Sequence, residues 1–425
     1  MRGASVLLSG GGAGCAGFAG SWEIAIREYG QKNFYLPMTD GRLVLGKREG
    51  RYTGTFNQLS FAGDLEKDGL HLRCEDGGKP CGALVLRSSG AQLTGEGSLL
   101  AIPVTVLGKR PATRPASATL HDYNPQTFQN FYTPALAPVL RIFPGDSVKT
   151  RTLDSRGQDG DGTPRAPRGN PVTGPFYIEG AMPGDTLVVH LDRVRTNRDT
   201  AYQTNLISSN ALEAGYLRSL AKFDSGFTTW KIDAAAGIAT VKDADNRLGA
   251  YTVALSPMLG CIGVAPSHDE VLGSGHLGPF GGNMDSPEVR EGATLYLPVF
   301  QPGALLFLGD GNAQQGDGEL PGQGLETSMD VQFTVDVISG NALGQPRVEN
   351  SDFVMVMGTG VTLDAAMKSA TTEMSHWLAG AYQLTPQDIA AVLGTAMQYE
   401  IAEVVDSEYD VVAKVRKSAL TQIRK

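Results

Sequence analysis

One glycine-rich segment in the C-terminal half of the chain gathers side chains that could do chemistry. Residues 306–326 read LFLGDGNAQQGDGELPGQGLE, an apolar run of strand type followed by a polar loop. The loop carries Asp310, Asn312, Gln314, Gln315, Asp317 and Glu319. Its glycines permit positive φ and let the backbone fold tightly enough for these side chains to converge. We therefore predict a functional site, the alternative being an acidic hairpin tip that binds nothing, since Asp and Gly are ordinary turn residues.

A further carboxylate, Asp154, closes a segment that alternates apolar and polar residues from Val148 onward. A carboxylate at the end of a strand is held more rigidly than one on a free loop, which suits metal binding or base chemistry. The nearby run at 159–162 reads DGDG but lacks the later Glu of a hand-type calcium loop, so we interpret it as an acidic turn. We expect Asp154, Asp310 and Glu319 to meet at one end of a sheet.

Composition limits the classes of protein to consider. The chain has 425 residues, 41% of them hydrophobic, with 54 Gly and 23 Pro, which favours a globular fold of short strands and many turns. The net charge is −9 and no run of Lys or Arg occurs, so we predict no nucleic-acid partner. No apolar stretch approaches the roughly 20 residues that cross a bilayer, so we predict no membrane partner.

Three regions differ in pattern. Residues 1–110 show short alternating segments between Gly and Asp turns, which predicts a small β-rich domain of unknown role, a sheet or barrel. A Pro-punctuated linker follows at 109–116. Residues 111–340 are predicted to form a β core, and residues 341–425 an α+β part with two helices. The predicted fold class is therefore mainly β, with late helices packing on the sheets.

Repeated turns and helix caps support this division. A strand, a Pro-Gly-Asp turn and a second strand occur at Asp146 and again at Asp185, which predicts stacked hairpins of a β-sandwich or jelly-roll-like fold. Thr362 is predicted to cap one helix and Thr385 a second, which would run through Ile401.

Cysteine usage leaves the compartment open. Cys74 and Cys81 flank a turn-rich loop, where either a cross-strand disulfide or two reduced thiols fits the spacing. We expect a cytoplasmic protein. The alternative is export, which a disulfide here and the short apolar run near the N-terminus would indicate.

Three strings carry a resemblance to a known family. Residues 170–187 read NPVTGPFYIEGAMPGDTL, residues 281–285 read GGNMD, and the third string is 309–319 of the polar loop. In order and spacing they resemble the acetamidase/formamidase family, over roughly His121 to the C-terminus. The resemblance implies hydrolysis of the C–N bond of short amides such as formamide or acetamide, on a largely β fold with a divalent metal ion. Residues 1–110 resemble no family that we can name.

One position departs from the family pattern. The family commonly reads Gly-Asp-Gly-His-Ala at this point. This chain reads Gly-Asp-Gly-Asn-Ala, so Asn312 stands in the position of the histidine. Imidazole binds borderline metals such as zinc strongly, whereas an amide oxygen suits hard cations such as calcium. We predict a metal site made by Asp154 and Asp310 with His121 or Asn312. Alternatively, Asn312 is a turn residue whose amide bonds its own loop, and changing it to His would then alter neither metal affinity nor rate.

Three further polar residues are predicted to take part in catalysis. Glu319 is predicted as general base and acid, and Asp317 and Asn283 as residues that orient it or the substrate amide. We expect a small amide substrate and a homodimer. Two alternatives remain open: a non-catalytic β-sandwich module that binds a sugar or calcium, and a pseudoenzyme with an interaction role.

Overall fold

The computed structural model describes residues 17–28, 40–223, 225–242, 248–249 and 251–423. The N-terminal segment considered above as an export signal lies outside these residues. The chain divides into two compact units, residues 1–113 and 114–425. Among the described residues, no helix is long and apolar enough to cross a bilayer.

The first unit is a closed barrel of eight antiparallel strands, in which each strand pairs with the next and the last pairs with the first. Alternate side chains fill its interior, as Trp22, Ile24 and Ile26 do on the first strand. Cys74 and Cys81 form a disulfide between neighbouring strands, with their Cα atoms 5.1 Å apart. The strands are β1 (Gly20–Glu28), β2 (Asp40–Arg48), β3 (Arg51–Phe56), β4 (Leu59–Leu65), β5 (Leu70–Asp76), β6 (Lys79–Ser89), β7 (Gln92–Leu99) and β8 (Ile102–Lys109).

The second unit is built mainly from strands. They are β9 (Leu120–Asp122), β10 (Phe131–Tyr132), β11 (Leu140–Ile142), β12 (Ser147–Arg151), β13 (Val172–Ile178), β14 (Thr186–Thr196), β15 (Thr200–Thr204), β16 (Phe227–Asp233), β17 (Ile238–Val241), β18 (Thr252–Ala254), β19 (Met258–Val264), β20 (Leu272–Gly273), β21 (Leu277–Gly278), β22 (Gly281–Asn283), β23 (Thr294–Pro298), β24 (Leu306–Asn312), β25 (Met329–Ile338), β26 (Arg347–Glu349), β27 (Phe353–Gly360), β28 (Gln398–Glu403) and β29 (Tyr409–Arg416). The helices are α1 (Ala214–Leu220), α2 (Leu363–Tyr382), α3 (Pro386–Ala396) and α4 (Lys417–Leu420), with 3₁₀ turns at Ser209–Ala211 and Asp317–Glu319.

Two large sheets share one hydrophobic core. A six-stranded sheet has the order β11-β13-β24-β19-β22-β21, and a nine-stranded sheet has the order β28-β29-β27-β26-β23-β14-β25-β12-β9. Phe176 and Leu308 from the first sheet lie in the same buried cluster as Val189 and Phe333 from the second. A small two-stranded sheet pairs β10 with β20, and a four-stranded sheet has the order β15-β16-β17-β18. The predicted mainly-β fold with late helices is confirmed.

The two Pro-Gly-Asp turns connect sheets and do not close hairpins, contrary to the sequence expectation. β11 and β13 lie in the six-stranded sheet, whereas β12 and β14, which follow the turns, lie in the nine-stranded sheet. In each turn the aspartate accepts a hydrogen bond from the backbone three residues earlier, Asp146 from Phe143 and Asp185 from Met182. The turns therefore carry the chain across the core, a step that local turn chemistry does not distinguish from a hairpin.

The C-terminal residues complete the nine-stranded sheet, because β26 to β29 form one end of it. Thr362 caps α2, and Thr385 with Asp388 forms a capping box at α3, as the sequence indicated. The second helix ends at Ala396, not at Ile401, because the following residues pair as β28 with β29. Gly358 of β27 lets α2 approach closely, since a Cβ there would lie 2.3 Å from the Ala366 carbonyl oxygen.

The turn at Asp146 provides a test of what joins the sheets. Asp146 accepts hydrogen bonds from the backbone of Thr119 and Phe143 and from His121. Although burial acts in the opposite direction, these bonds hold its pKa below the ordinary value of 3.8. Asp146→Ala should lower the free energy of unfolding by about 2 kcal/mol at pH 7. Because the folded pKa is depressed, this contribution is present above pH ~4 and is lost as the pH falls through the folded value.

Urea unfolding of the wild type and the variant at pH 7 and pH 3 measures this difference. Asp122→Ala removes an exposed aspartate from the adjacent β9 and serves as the matched control. Equal destabilisation by the two substitutions, or a difference that does not change with pH, would contradict the stabilising role of the hydrogen bonds that Asp146 accepts.

Candidate functional site

A group of carboxyl groups is buried inside the second unit. Each is at most 5% exposed, and they come from distant parts of the chain: Asp285, Asp310, Glu319, Glu326, Glu403 and Asp410. Their charges act on one another, since Asp310, Glu403 and Asp410 all raise the pKa of Asp285. Asp406 lies beside the group and acts on it in the same way. We call this set the acidic cluster.

Strand β19 provides the surface against which two of these carboxylates lie. A Cβ on Gly260 of this strand would come within 2.2 Å of Asp285 Oδ1 and 2.6 Å of Asp310 Oδ2. Only glycine therefore lets both carboxylates approach the strand together. Three cluster residues also have left-handed backbone conformations, with φ of 42° at Asp285, 53° at Asp310 and 47° at Glu319. Non-glycine residues adopt this conformation at a cost, and such strain concentrates at functional sites.

Burial changes the acidity of the cluster. It raises the pKa of Asp310 to about 7 and that of Glu403 to about 8. Burial, followed by the charges of the neighbouring carboxylates, raises the pKa of Asp285, Glu319 and Glu326 well above the usual range. Several carboxylates cannot all be ionised side by side in a dry site without a countercharge. The cluster is therefore suited to holding protons or a cation.

Hydrogen bonds fix two of the glutamates. Glu326 Oε2 accepts from the backbone of Ser155 at 3.2 Å, and after burial the charge of Asp310 is the main cause that raises the pKa of Glu326. Glu319 Oε1 accepts from the backbone of Gly324 at 3.0 Å. These contacts hold the carboxyl groups in fixed orientations.

Asn283 links the cluster to its surroundings. Its Nδ2 donates to Asp285 Oδ2 and, at 3.0 Å, to Asp406 Oδ2. Its Oδ1 accepts from Asn170 at 3.0 Å and from the thiol of Cys261 at 2.9 Å. The amide is thus fully engaged, and its contacts orient Asp285 and Asp406.

Two residues predicted as metal ligands have other partners. Asp154 lies close enough for its charge to raise the pKa of Asp310. However, its Oδ1 accepts from the backbone of Arg156 at 3.0 Å and Gln158 at 2.9 Å, and its Oδ2 accepts from Arg198 at 2.8 Å. The structure thus shows Asp154 bracing its own loop.

His121 lies on β9, opposite Val148 near the start of β12. It hydrogen-bonds Asp146 at 3.0 Å, and among the described interactions none joins it to the acidic cluster. Asp154 follows the other end of β12, so the two predicted ligands lie at opposite ends of this strand.

The polar loop itself is split between interior and surface. Asp310 and Glu319 enter the cluster, whereas Asp317 is exposed and lies near Glu400 and Lys414, whose charges act on it. Asn312 is not a turn residue. It ends strand β24 fully buried, and neither atom of its amide has a hydrogen-bond partner among the described residues.

Sequence reasoning did not single out five members of the site: Asp285, Glu326, Glu403, Asp406 and Asp410. Asp285 ends the GGNMD string, and Glu326 ends the 306–326 segment. Both could have been found as the acidic residues that close these two strings. The other three belong to β28, β29 and the turn between them. The helix predicted through Ile401 concealed that hairpin.

The donor set fits a hard cation better than zinc. Buried oxygens without a partner among the described residues include Asp285 Oδ1, Asp310 Oδ1 and Gln315 Oε1. Carboxylate and amide oxygens are the ligands of calcium, magnesium and manganese, whereas zinc prefers imidazole and thiolate. The thiol nearest the cluster, Cys261, is kept protonated because burial raises its pKa.

Comparisons with known proteins agree with the sequence resemblance. The model of the acetamidase/formamidase family matches residues 117–273 and 279–414, all after the barrel. A formamidase from Methylophilus methylotrophus is 24% identical over 239 residues, which are 45% of this chain and 59% of the relative, so less than two thirds of that relative is spanned.

Two solved structures resemble this chain over nearly three quarters of its length. A predicted acetamidase/formamidase from Thermoanaerobacter tengcongensis has a TM-score of 0.63 at 26% identity, covering 72% of this chain and 99% of its own. An acetamidase from Yersinia enterocolitica has a TM-score of 0.63 at 27% identity, covering 73% of this chain and 96% of its own.

Gly260 provides a test of the site's geometry. Gly260→Ala should displace Asp285 and Asp310, because the new Cβ would overlap both carboxylates. We expect titration calorimetry to show that the variant loses measurable binding of Mn²⁺ or Ca²⁺. Gly316→Ala is the matched control, since nothing lies within 4 Å of its Cβ position. Asp285→Asn keeps the side-chain volume and adds no Cβ, and it should also weaken binding of the cation. Wild-type cation affinity in both Gly260→Ala and Asp285→Asn would refute this site.

Proposed function

The chain belongs to the acetamidase/formamidase family, and from that premise we propose that it hydrolyses the C–N bond of short linear amides to ammonia and a carboxylate. The observation that carries the proposal is Glu319. It is a buried acid whose pKa is strongly raised by burial and by neighbouring charges that include Asp310. The backbone of Gly324 holds it, and Gly324 also borders Asn312. Formamide and acetamide are the expected substrates, because a site whose residues Asp285, Asp310 and Glu319 are at most 5% exposed favours small molecules.

Glu319 acts as the proton carrier in the proposed reaction. Amide hydrolysis requires a base that takes a proton from water as it attacks the carbonyl carbon, and an acid that protonates the departing nitrogen. One carboxyl group can do both in sequence. Since burial and neighbouring charges raise its pKa, Glu319 holds the proton more firmly than an ordinary glutamate and can deliver it to nitrogen.

Asp285 and Asp310 are the residues that would hold a divalent cation. Their carboxylates converge on Gly260, and each has an oxygen without a partner among the described residues. A cation bound there would supply the positive charge that activates water and polarises a carbonyl. This assignment replaces Asp154 and His121, whose side chains bond Arg198 and Asp146 respectively.

Supporting residues keep these groups in place. Asn283 orients Asp285, and Gln315 donates a hydrogen bond to the backbone carbonyl of Asp285. Glu326 lies close enough to Asp310 for the charges of the two to interact, and Ser155 holds it by a backbone hydrogen bond. These contacts limit the rotation of the carboxylates that would bind the cation.

Ammonia release from formamide, acetamide and propionamide, with Mn²⁺ or with a chelator, tests the proposal. Glu319→Gln should lower kcat by roughly 10²–10⁴-fold, the usual contribution of a general acid-base group. Asp317→Asn is the control, because this neighbouring carboxylate is exposed and lies outside the cluster. We expect it to retain near wild-type rates.

Two results would contradict the proposal. Wild-type turnover by folded Glu319→Gln would exclude Glu319 as the proton carrier. Saturable binding of amides without ammonia release by the wild type would favour a binding module over an enzyme.

A further inference from the structure

Asn312 is a buried residue at the end of strand β24 to which the roles above assign no function. It is completely buried, and neither Oδ1 nor Nδ2 has a partner among the described residues. A buried amide without partners is costly, since it has given up its hydrogen bonds to water. Asn283, the other buried asparagine here, uses both amide atoms. Asn312 thus presents an unused donor and an unused acceptor side by side.

The unused amide lies among the proposed reacting groups. Asn312 forms a bridge with Glu326, and residues directly opposite each other in an antiparallel pair extend to the same face. Its Oδ1 would be 2.6 Å from a Cβ on Gly324, the residue whose backbone donates to Glu319 at 3.0 Å. Because Gly324 has no side chain, the amide of Asn312 has room at this position. Asn312 is close to the group that we assign to proton transfer.

We propose that Asn312 recognises the primary amide of the substrate through a pair of coplanar hydrogen bonds, an inference that rests on the proposed function. Its Nδ2 donates to the substrate carbonyl oxygen, and its Oδ1 accepts from the substrate N–H on the same side as that oxygen. Each partner supplies one donor and one acceptor, so the pair satisfies all four groups that face each other. The donated hydrogen bond also stabilises negative charge that develops on the carbonyl oxygen during attack by water.

This recognition selects by the configuration of the amide. A primary amide always has an N–H on the carbonyl side. A linear N-alkyl amide is almost entirely trans, so it has the alkyl group there in place of hydrogen. A lactam is held cis by its ring and keeps the N–H on the carbonyl side. The site should therefore bind primary amides and unsubstituted lactams and reject linear or cyclic amides that are alkylated on nitrogen.

Two matched pairs of small amides test the inference with the metal-supplemented full-length protein. The first pair is acetamide and N-methylacetamide as substrates. The second is 2-pyrrolidinone and N-methyl-2-pyrrolidinone as competitive inhibitors of acetamide hydrolysis. For the wild type we expect at least roughly 100-fold higher kcat/KM for acetamide, and inhibition by 2-pyrrolidinone alone, because a site built to hydrogen-bond an N–H discriminates strongly against its absence.

Asn312→Leu keeps the side-chain volume and removes both hydrogen bonds. It should lower kcat/KM for acetamide by roughly 100-fold, the usual effect of losing one donor to a developing oxyanion. The preference for acetamide over N-methylacetamide should fall below roughly tenfold, because only the primary amide loses the pair of bonds. Because the amide makes no hydrogen bond within the protein, Tm should stay unchanged or rise, whereas loss of a structural role would lower it. Asn312→Ala provides a second variant should the leucine not be accommodated.

The outcomes separate the inference from the function on which it rests. A wild type that hydrolyses acetamide, with Asn312 variants that keep the original substrate preference, would overturn the role of Asn312 and leave amide hydrolysis standing. A wild type that hydrolyses both members of the first pair equally would do the same. A wild type that releases no ammonia from any amide would overturn the proposed function and this inference together.

Discussion

The burial of many carboxyl groups in one place is the constraint on which the second unit depends. An isolated buried carboxylate is strongly unfavourable, and like charges nearby make ionisation harder still. The pKa of Asp310 is accordingly raised to about 7, and that of Glu403 to about 8. Such a cluster persists only if the surrounding fold holds it firmly. A bound cation would offset its charge and would make the same groups useful for hydrolysis.

The fold holds the cluster with backbone that few sequences allow. Gly260 gives room for two carboxylates, and Asp285, Asp310 and Glu319 take left-handed conformations. Gly260 and Asp310 lie on neighbouring, fully buried strands of the six-stranded sheet, β19 and β24. This sheet shares a core with the nine-stranded sheet, and the Pro-Gly-Asp turns connect the two. The stable sheets thus compensate for the strained backbone at the site. Strain of this kind is common at functional sites.

Local signals were sufficient for part of this architecture. The cap at Thr385 and the convergence of Asp310 with Glu319 follow from nearby residues, so sequence reasoning found them. Asp154 was assigned to metal binding because nothing near it in sequence reveals Arg198, its partner across 44 positions. Glu403 was missed because its strand is defined by pairing with β29 and not by its own pattern. Long-range partners of this kind are decided by tertiary packing.

The most direct test of a cation bound by the acidic cluster is anomalous diffraction at the manganese absorption edge, from crystals grown with Mn²⁺. The account predicts a peak within roughly 2.0–2.6 Å of oxygens from both Asp285 and Asp310, the range for oxygen ligands of hard cations. A peak beside Asp154 or His121, or none at the cluster in crystals of protein that hydrolyses amides, would contradict it.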